Sequence, residues 1–386
     1  MSAPVNETAP DQPLDVNAAG AGGAVGDKAV TDGAASAASV MPAAVTAQPQ
    51  VSVVIPVYNG AASITPCIEA LFDSSYGNFE AVVIHDCSTD NSGEILEELG
   101  KNYPFRLFEF PENRGVSKAR NEGARRARGE IILFIDADCI IRPDTIERCV
   151  KALKEGDSIC VGGAYTREAW DDDFFSNFQT LYIHHVETKV EHPDYIATHC
   201  MAIWKQAYDE FGGFKEDYFI GHAASVEDVE LSHRLIKAGH QLSRPADIQV
   251  QHMFGFGFGK SIRNAIKKSK YWTMYSLHNR DVMKDSGAAS YELKVNVTTQ
   301  VLNVCLVVVA AIARSWWPLI GVMFLYGVNT AVSYNLLRLI RQEKGWWFLF
   351  RAMAYYQAVY PFAVAYGASM GILKYIWEVK LTRRYS

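Results

Sequence analysis

The apolar run Ile131 to Ile135 ends in Asp136-Ala137-Asp138. Two acids one residue apart at a strand end present hard oxygens to a divalent cation, which in turn neutralises a diphosphate. The spacing recurs at Asp171 and Asp173, but Trp170 to Asp173 follows no buried strand and reads as a solvated turn. A second acidic pair, Glu227-Asp228, begins the helical text Val226 to His240. A carboxylate there can act as general base toward a hydroxyl, although acids suit any helix start. Asn113 to Asn121 opens a helix with a basic, glycine-bearing turn (Arg114, Gly115, Lys118, Arg120) that favours an anionic ligand such as a diphosphate. Arg125, Arg126 and Arg128 read as the wet side of that helix. His252 follows the strand-like Asp247 to Gln251 and either completes a metal shell or packs as an ordinary histidine. His184, His185, His192 and His199 have no metal-ligand spacing and read as structural or ligand-lining.

These groups need a frame. Val51–Pro56, Phe79–His85, Phe105–Phe110 and Ile131–Asp136 read as strands, with helical text near 62–72, 91–100, 115–128 and 143–154. That alternation predicts a mainly parallel sheet covered on both faces, with ligands at the carboxyl ends of its strands. Two polar turns fall at such ends, Pro56-Val57-Tyr58-Asn59-Gly60 and His85 to Ser92. A buried Asp86 can accept hydrogen bonds from a base or ribose, while Thr89 or Asp90 can cap the next helix.

The flanking regions differ from this core. Residues 1–50 hold 14 Ala, 5 Gly and 5 Pro and no aromatic residue, so a disordered tail is expected. Glu7, Asp11 and Asp15 precede any Lys, unlike a signal peptide. From Val295 to Leu337 the only charge is Arg314, and runs near 295–313 and 316–337 are long enough for helices crossing a ~30 Å hydrocarbon core; a buried core hairpin is the alternative. Trp346 to Trp377 carries Arg351 and Pro361 and reads as one kinked span, or as an interfacial helix with a short span. Trp316, Trp317, Trp346 and Trp347 suit interfacial anchors, and Arg338, Arg341, Lys344, Lys380, Arg383 and Arg384 all favour the cytoplasmic side. Residues 255–294 carry eight Lys and Arg against three acids, interleaved with Phe256, Phe258, Tyr271, Trp272 and Tyr275. This segment either lies on anionic headgroups, able to receive a lipid-linked diphosphate, or rests against the globular domain. With 37 Lys and Arg against 43 Asp and Glu over 386 residues, there is no basic excess for nucleic acid. Seven cysteines without a C-x-x-C pair read as reduced, mostly packed thiols.

Taken in order, the motifs from about Val51 to His252 resemble the family 2 glycosyltransferases. The resemblance implies an α/β GT-A domain over 51–254, a Rossmann-like nucleotide-sugar-binding fold with a mainly parallel mixed sheet, then the interfacial segment and a transmembrane helical region over 295–386. It places Pro56, Tyr58 and Asn59 in the nucleotide pocket and Asp86 on the base. Asn113, Gly115, Lys118 and Arg120 fall near the ribose and phosphates, and Asp136 and Asp138 on nucleotide-sugar and metal, where His252 is the open candidate for a further ligand. Asp228 is the implied catalytic base, supported by Glu227 and Arg234. His85 stands where the family often has a second acid.

The implied activity is inverting, metal-dependent (Mg2+ or Mn2+) transfer from a UDP- or GDP-sugar to a hydroxyl of a lipid-linked or membrane-proximal glycan. Transfer to a polyprenyl phosphate is the alternative and needs no base, because that phosphate is already ionised. A membrane-tethered nucleotide-sugar-binding scaffold without turnover is the non-enzymatic alternative. A processive synthase is disfavoured, since the family's Gln-x-x-Arg-Trp motif does not occur. The expected location is a prokaryotic cytoplasmic membrane, with the catalytic domain on the cytoplasmic side and membrane lipids as further partners.

Overall fold

A computed structural model of the chain describes residues 48–216, 226–282, 284–287 and 289–381. Residues 1–47 of the Ala-rich segment, and Arg383 and Arg384 of the basic end, lie outside the described residues. The β-branched runs become β1 (Val51–Val57), β2 (Phe79–His85), β3 (Phe105–Glu109) and β4 (Ile131–Ile135). Between them lie α1 (Ile64–Phe72), α2 (Ser92–Leu99) and α3 (Val116–Arg126). Every residue of β1 and β4 is buried, as inner strands covered on both faces require. The chain continues through β5 (Cys139–Ile141), α4 (Thr145–Glu155), β6 (Ser158–Gly162), β7 (Ala164–Tyr165), α5 (Phe174–Glu187) and β8 (Cys200–Trp204). Then come α6 (Lys205–Glu210), α7 (Glu227–Lys237), β9 (Gln241–Ser243) and β10 (Gln249–His252).

Seven strands form a mixed sheet in the order β3-β2-β1-β4-β8-β6-β9. Strands β3, β2, β1 and β4 run parallel, and β8 is antiparallel to both its neighbours. Alternate residues serve two cores: Val53, Ile55 and Leu133 face α1, α4 and α5, whereas Val54, Ile132 and Phe134 face α3 and α7. A second sheet, β5-β10-β7, pairs β10 antiparallel to β5 and parallel to β7. The chain leaves the large sheet for the small one across Asp136-Ala137-Asp138. The cysteines are free thiols, five of them buried.

The C-terminal helices are α8 (Phe258–Asn279), α9 (Tyr291–Ile312), α10 (Trp317–Val332), α11 (Tyr334–Met353) and α12 (Tyr360–Tyr375). Among the described residues, α9 is long and apolar enough to cross a membrane, and α10 with the helical run Tyr334–Glu378 forms a pair bent by 71°. Val304, Val308, Ile312, Met323 and Phe324 are exposed along α9 and α10, a contiguous apolar surface that asks for cover. One expectation is corrected here. The helix expected over 316–337 stops at Val332 and turns at Ser333. The stretch 346–377, expected as one kinked span or as an interfacial helix with a short span, is interrupted. Gly345 (φ 76°) breaks α11, a π-helical turn Ala354–Val359 precedes Pro361, and Tyr355, Tyr356 and Tyr360 are buried against Phe178 and Tyr182 of α5. An aromatic run buries itself on another helix as readily as in lipid.

The basic segment forms α8, which lies against α12. Gly367 and Gly371 sit where any added Cβ would strike Ser269 Oγ and the Ile266 and Lys270 carbonyls, so the two helices meet backbone to backbone. Met274 and Tyr275 of α8 are buried, and the Tyr275 hydroxyl lies 2.7 Å from His233 Nδ1 on α7.

Candidate active site

The carboxyl ends of β1 and β2 are stitched into one rim. Asn59 adopts a left-handed φ of 52°, a conformation asparagine tolerates, and its Oδ1 accepts from Thr89 N at 2.8 Å while its own N–H donates to Ser88 Oγ at 3.0 Å. Asp90 Oδ1 accepts from Ser92 N at 3.0 Å, the capping role open to it in the sequence. Tyr58 projects at the rim, half exposed. Pro56 is buried inside β1, one step below the rim, and so does not line the opening as expected. His85 bonds Glu109 Oε1 through Nδ1 at 2.9 Å and accepts from Ser88 N through Nε2, bracing the same turn.

Asp86 is buried, and its carboxylate is spent on the turn before α3. Oδ1 accepts from Arg114 N at 2.6 Å; Oδ2 accepts from Gly115 N at 2.8 Å and Asn113 Nδ2 at 3.1 Å. Asp86 therefore clasps this turn rather than facing outward to a base. Gly115 has φ 86° and ψ 157°, a region essentially closed to residues with a Cβ. Lys118, on the first turn of α3, is half-buried.

Arg120 departs from the expected phosphate contact. Its side chain is 4% exposed, with Nη1 on Glu227 Oε1 at 2.7 Å and Nη2 on Asp136 Oδ1 at 2.6 Å. It joins the end of β4 to the start of α7 from beneath. Burial opposes its charge, yet Asp136 and Glu227 prevail and hold the guanidinium more firmly protonated than usual. For Asp136, burial pushes upward but Arg120 wins and keeps the carboxyl below its ordinary value. Asp138 has no such partner among the described residues: burial, then the Asp136 charge, raise it to about 6.

Asp138, Cys139 and His252 bring one donor atom each within 4.8 Å of one another. His252 Nε2 lies 3.4 Å from Asp138 Oδ2, and its Nδ1 is buried with no partner among the described residues. Burial first, then His199, lowers His252 to about 3, so its ring is the neutral, ligating form. An aspartate oxygen and a neutral imidazole nitrogen suit a divalent cation. Burial, then Asp138 and Asp136, keep the Cys139 thiol protonated. The other pair, Asp171 and Asp173, is structural: Asp173 caps α5 by accepting from Phe175 N and Ser176 N, and Asp171 accepts from Gly255 N.

At the start of α7, Glu227 is taken by Arg120, while among the described residues Asp228 accepts a bond from Val229 N alone, at 2.8 Å. Burial, then the Glu227 charge, lift Asp228 to about 7. Arg234 grips Glu230 and the Phe211 and Gly213 carbonyls, fixing the Gly212-Gly213 turn beside the site. Asn121, the last residue of the basic motif, ties α3 to that turn, donating to Phe214 O at 2.8 Å and accepting from Phe214 N and the Tyr208 hydroxyl. His184, His192 and His199 bond backbone carbonyls and His185 bonds Glu292, so the histidine cluster is structural.

Residues 52–212 match the model of Glycosyl transferase family 2. The glycosyltransferase GlyG of Streptococcus pneumoniae serotype 4 is 32% identical over 127 residues, covering 32% of this chain and 42% of the relative. The dolichol-phosphate mannosyltransferase of Pyrococcus furiosus is 31% identical over 119 residues, covering 31% of this chain and 34% of the relative. The chain spans less than half the length of the curated relatives it matches. Among solved structures, the mannosyltransferase PcManGT of Pyrobaculum calidifontis, in complex with GDP-Man and Mn2+, is similar at a TM-score of 0.53 and 17% identity, over 86% of this chain and 88% of that one. That likeness gives the fold.

Proposed function

We propose that this family 2 glycosyltransferase domain, of GT-A fold, moves a sugar from a nucleotide-sugar to a hydroxyl of a lipid-linked or membrane-proximal glycan, inverting the anomeric centre in one displacement. The observation that carries the reading is the Arg120 bridge, which sets the Asp136–Asp138 pair at the end of β4 beside Asp228, a carboxylate with no ion-pair partner among the described residues. Asp228 takes the acceptor proton as the hydroxyl oxygen attacks from the face opposite the departing nucleotide, and a base near 7 is well matched to that task. A divalent cation, Mg2+ or Mn2+, held by Asp138 and His252 supplies positive charge for the departing diphosphate. Tyr58 offers a ring face to the nucleotide base, and Asn59 holds the rim beneath it. Beyond the Asn113–Gly115 turn that Asp86 clasps, Lys118 brings a cation to the first turn of α3, where a UDP- or GDP-sugar would lay its phosphates.

The exposed apolar surface of α9 and α10 supports anchoring in a prokaryotic cytoplasmic membrane, and the basic α8 supports contact with anionic lipid. The likeness to a dolichol-phosphate mannosyltransferase favours a second reading, transfer to a polyprenyl phosphate. Nucleotide release is measured from a panel of donors with Mn2+ and membrane lipid extract, for the native chain and for Asp228→Asn. Loss of transfer in the variant with donor binding retained is the expected result. An Asn variant that still transfers to polyprenyl phosphate selects the second reading, and no turnover of any donor leaves a nucleotide-sugar-binding scaffold.

A further inference from the structure

Cys139 has no part in the reaction above, yet it stands in the same cation site. It opens β5 directly opposite His252 of β10, and such cross-strand partners leave a sheet on the same face. Its Sγ lies 3.8 Å from Asp138 Oδ1, and Asp138, Cys139 and His252 bring their donor atoms within 4.8 Å of one another. Both the thiol and the unpartnered His252 Nδ1 are shut off from solvent. Mg2+ and Mn2+ prefer oxygen, whereas Zn2+ and Co2+ take sulfur and nitrogen readily.

We propose that Cys139 makes this a mixed oxygen, nitrogen and sulfur site that takes a thiophilic divalent cation such as Zn2+ in preference to Mg2+ or Mn2+. The inference rests on the cation site of the proposed function. On binding, the Cys139 S–H bond breaks, its proton goes to solvent, and the sulfur lone pair forms the bond to the cation; nothing is oxidised or reduced. Three protein ligands leave a tetrahedral cation one position for water or a phosphate oxygen.

The full chain, freed of metal, is titrated with Co2+ and followed by absorption, and with Mn2+ and followed by electron paramagnetic resonance. A near-ultraviolet thiolate-to-cobalt charge-transfer band is expected at one Co2+ per chain, displaced by Zn2+ and lost in Cys139→Ser. The same variant weakens Zn2+ at least about tenfold and still binds Mn2+. His252→Ala, which leaves the sulfur in place, diminishes the band as well. Mn2+ binding without a charge-transfer band in the native chain overturns the inference and leaves the cation site standing. A band that survives both substitutions belongs to another thiol and also overturns it. Absence of binding by either cation removes the cation site itself.

Discussion

Glu227 and Asp228 are adjacent acids given different work by their surroundings. Glu227 is neutralised by Arg120, while Asp228 carries burial and the Glu227 charge, has no paired cation among the described residues, and sits near 7. A base must be deprotonated, so kcat/KM is expected to rise with pH along a limb centred near 7. Glu227→Gln removes the repelling charge and leaves Arg120 to favour the Asp228 anion. Both effects lower the Asp228 value, so the limb moves to more acid pH in that variant. Two pH profiles decide the matter, and an unmoved limb would remove Asp228 as the titrating base. Asp136, Asp138 and Asp228 were legible in the sequence because each follows a strong local pattern, an apolar strand or a helix start. The duty of Arg120 was not, because its partner Glu227 stands 107 positions away and basic residues at a helix start suggest phosphate.

The turn before α3 is the element on which donor binding is expected to depend. Its shape is held at two points, the Asp86 carboxylate and the backbone of Gly115, whose angles exclude a side chain. Gly115→Ala is expected to cost about 1–3 kcal/mol, visible as a lower melting temperature and a weaker donor Kd by calorimetry. Unchanged values for both would show that the turn relaxes freely. The strand–helix alternation of the first half was readable because β1, β2 and β4 are unbroken apolar runs closed by polar turns. Of the small sheet only β10 was readable, as the strand-like Asp247 to Gln251: β5 has three residues and β7 two, too short for any period to emerge.

Along the described helices, α12 touches α8 through Gly367 and Gly371, and α8 touches α7, which carries the proposed base, through Tyr275 and His233. Gly367→Leu forces α12 off α8 at a cost of about 1–3 kcal/mol. The displacement should reach Asp228, so kcat is expected to fall while donor Kd holds; an equal loss of both would place the damage in the fold instead. Hydropathy identified the C-terminal helices as apolar but could not say which faces meet protein, because Tyr355, Tyr356 and Tyr360 against α5 read like residues in lipid. One last consequence comes from the link Asp136-Ala137-Asp138, where the chain passes from the large sheet to the small one. A residue inserted or deleted there would turn Cys139 and Ile141 to the opposite face and break their register with His252 and Val250. The length of this link is therefore as much a part of the site as its two carboxylates, and a single-codon insertion or deletion there would undo the β5–β10 pairing and the site together.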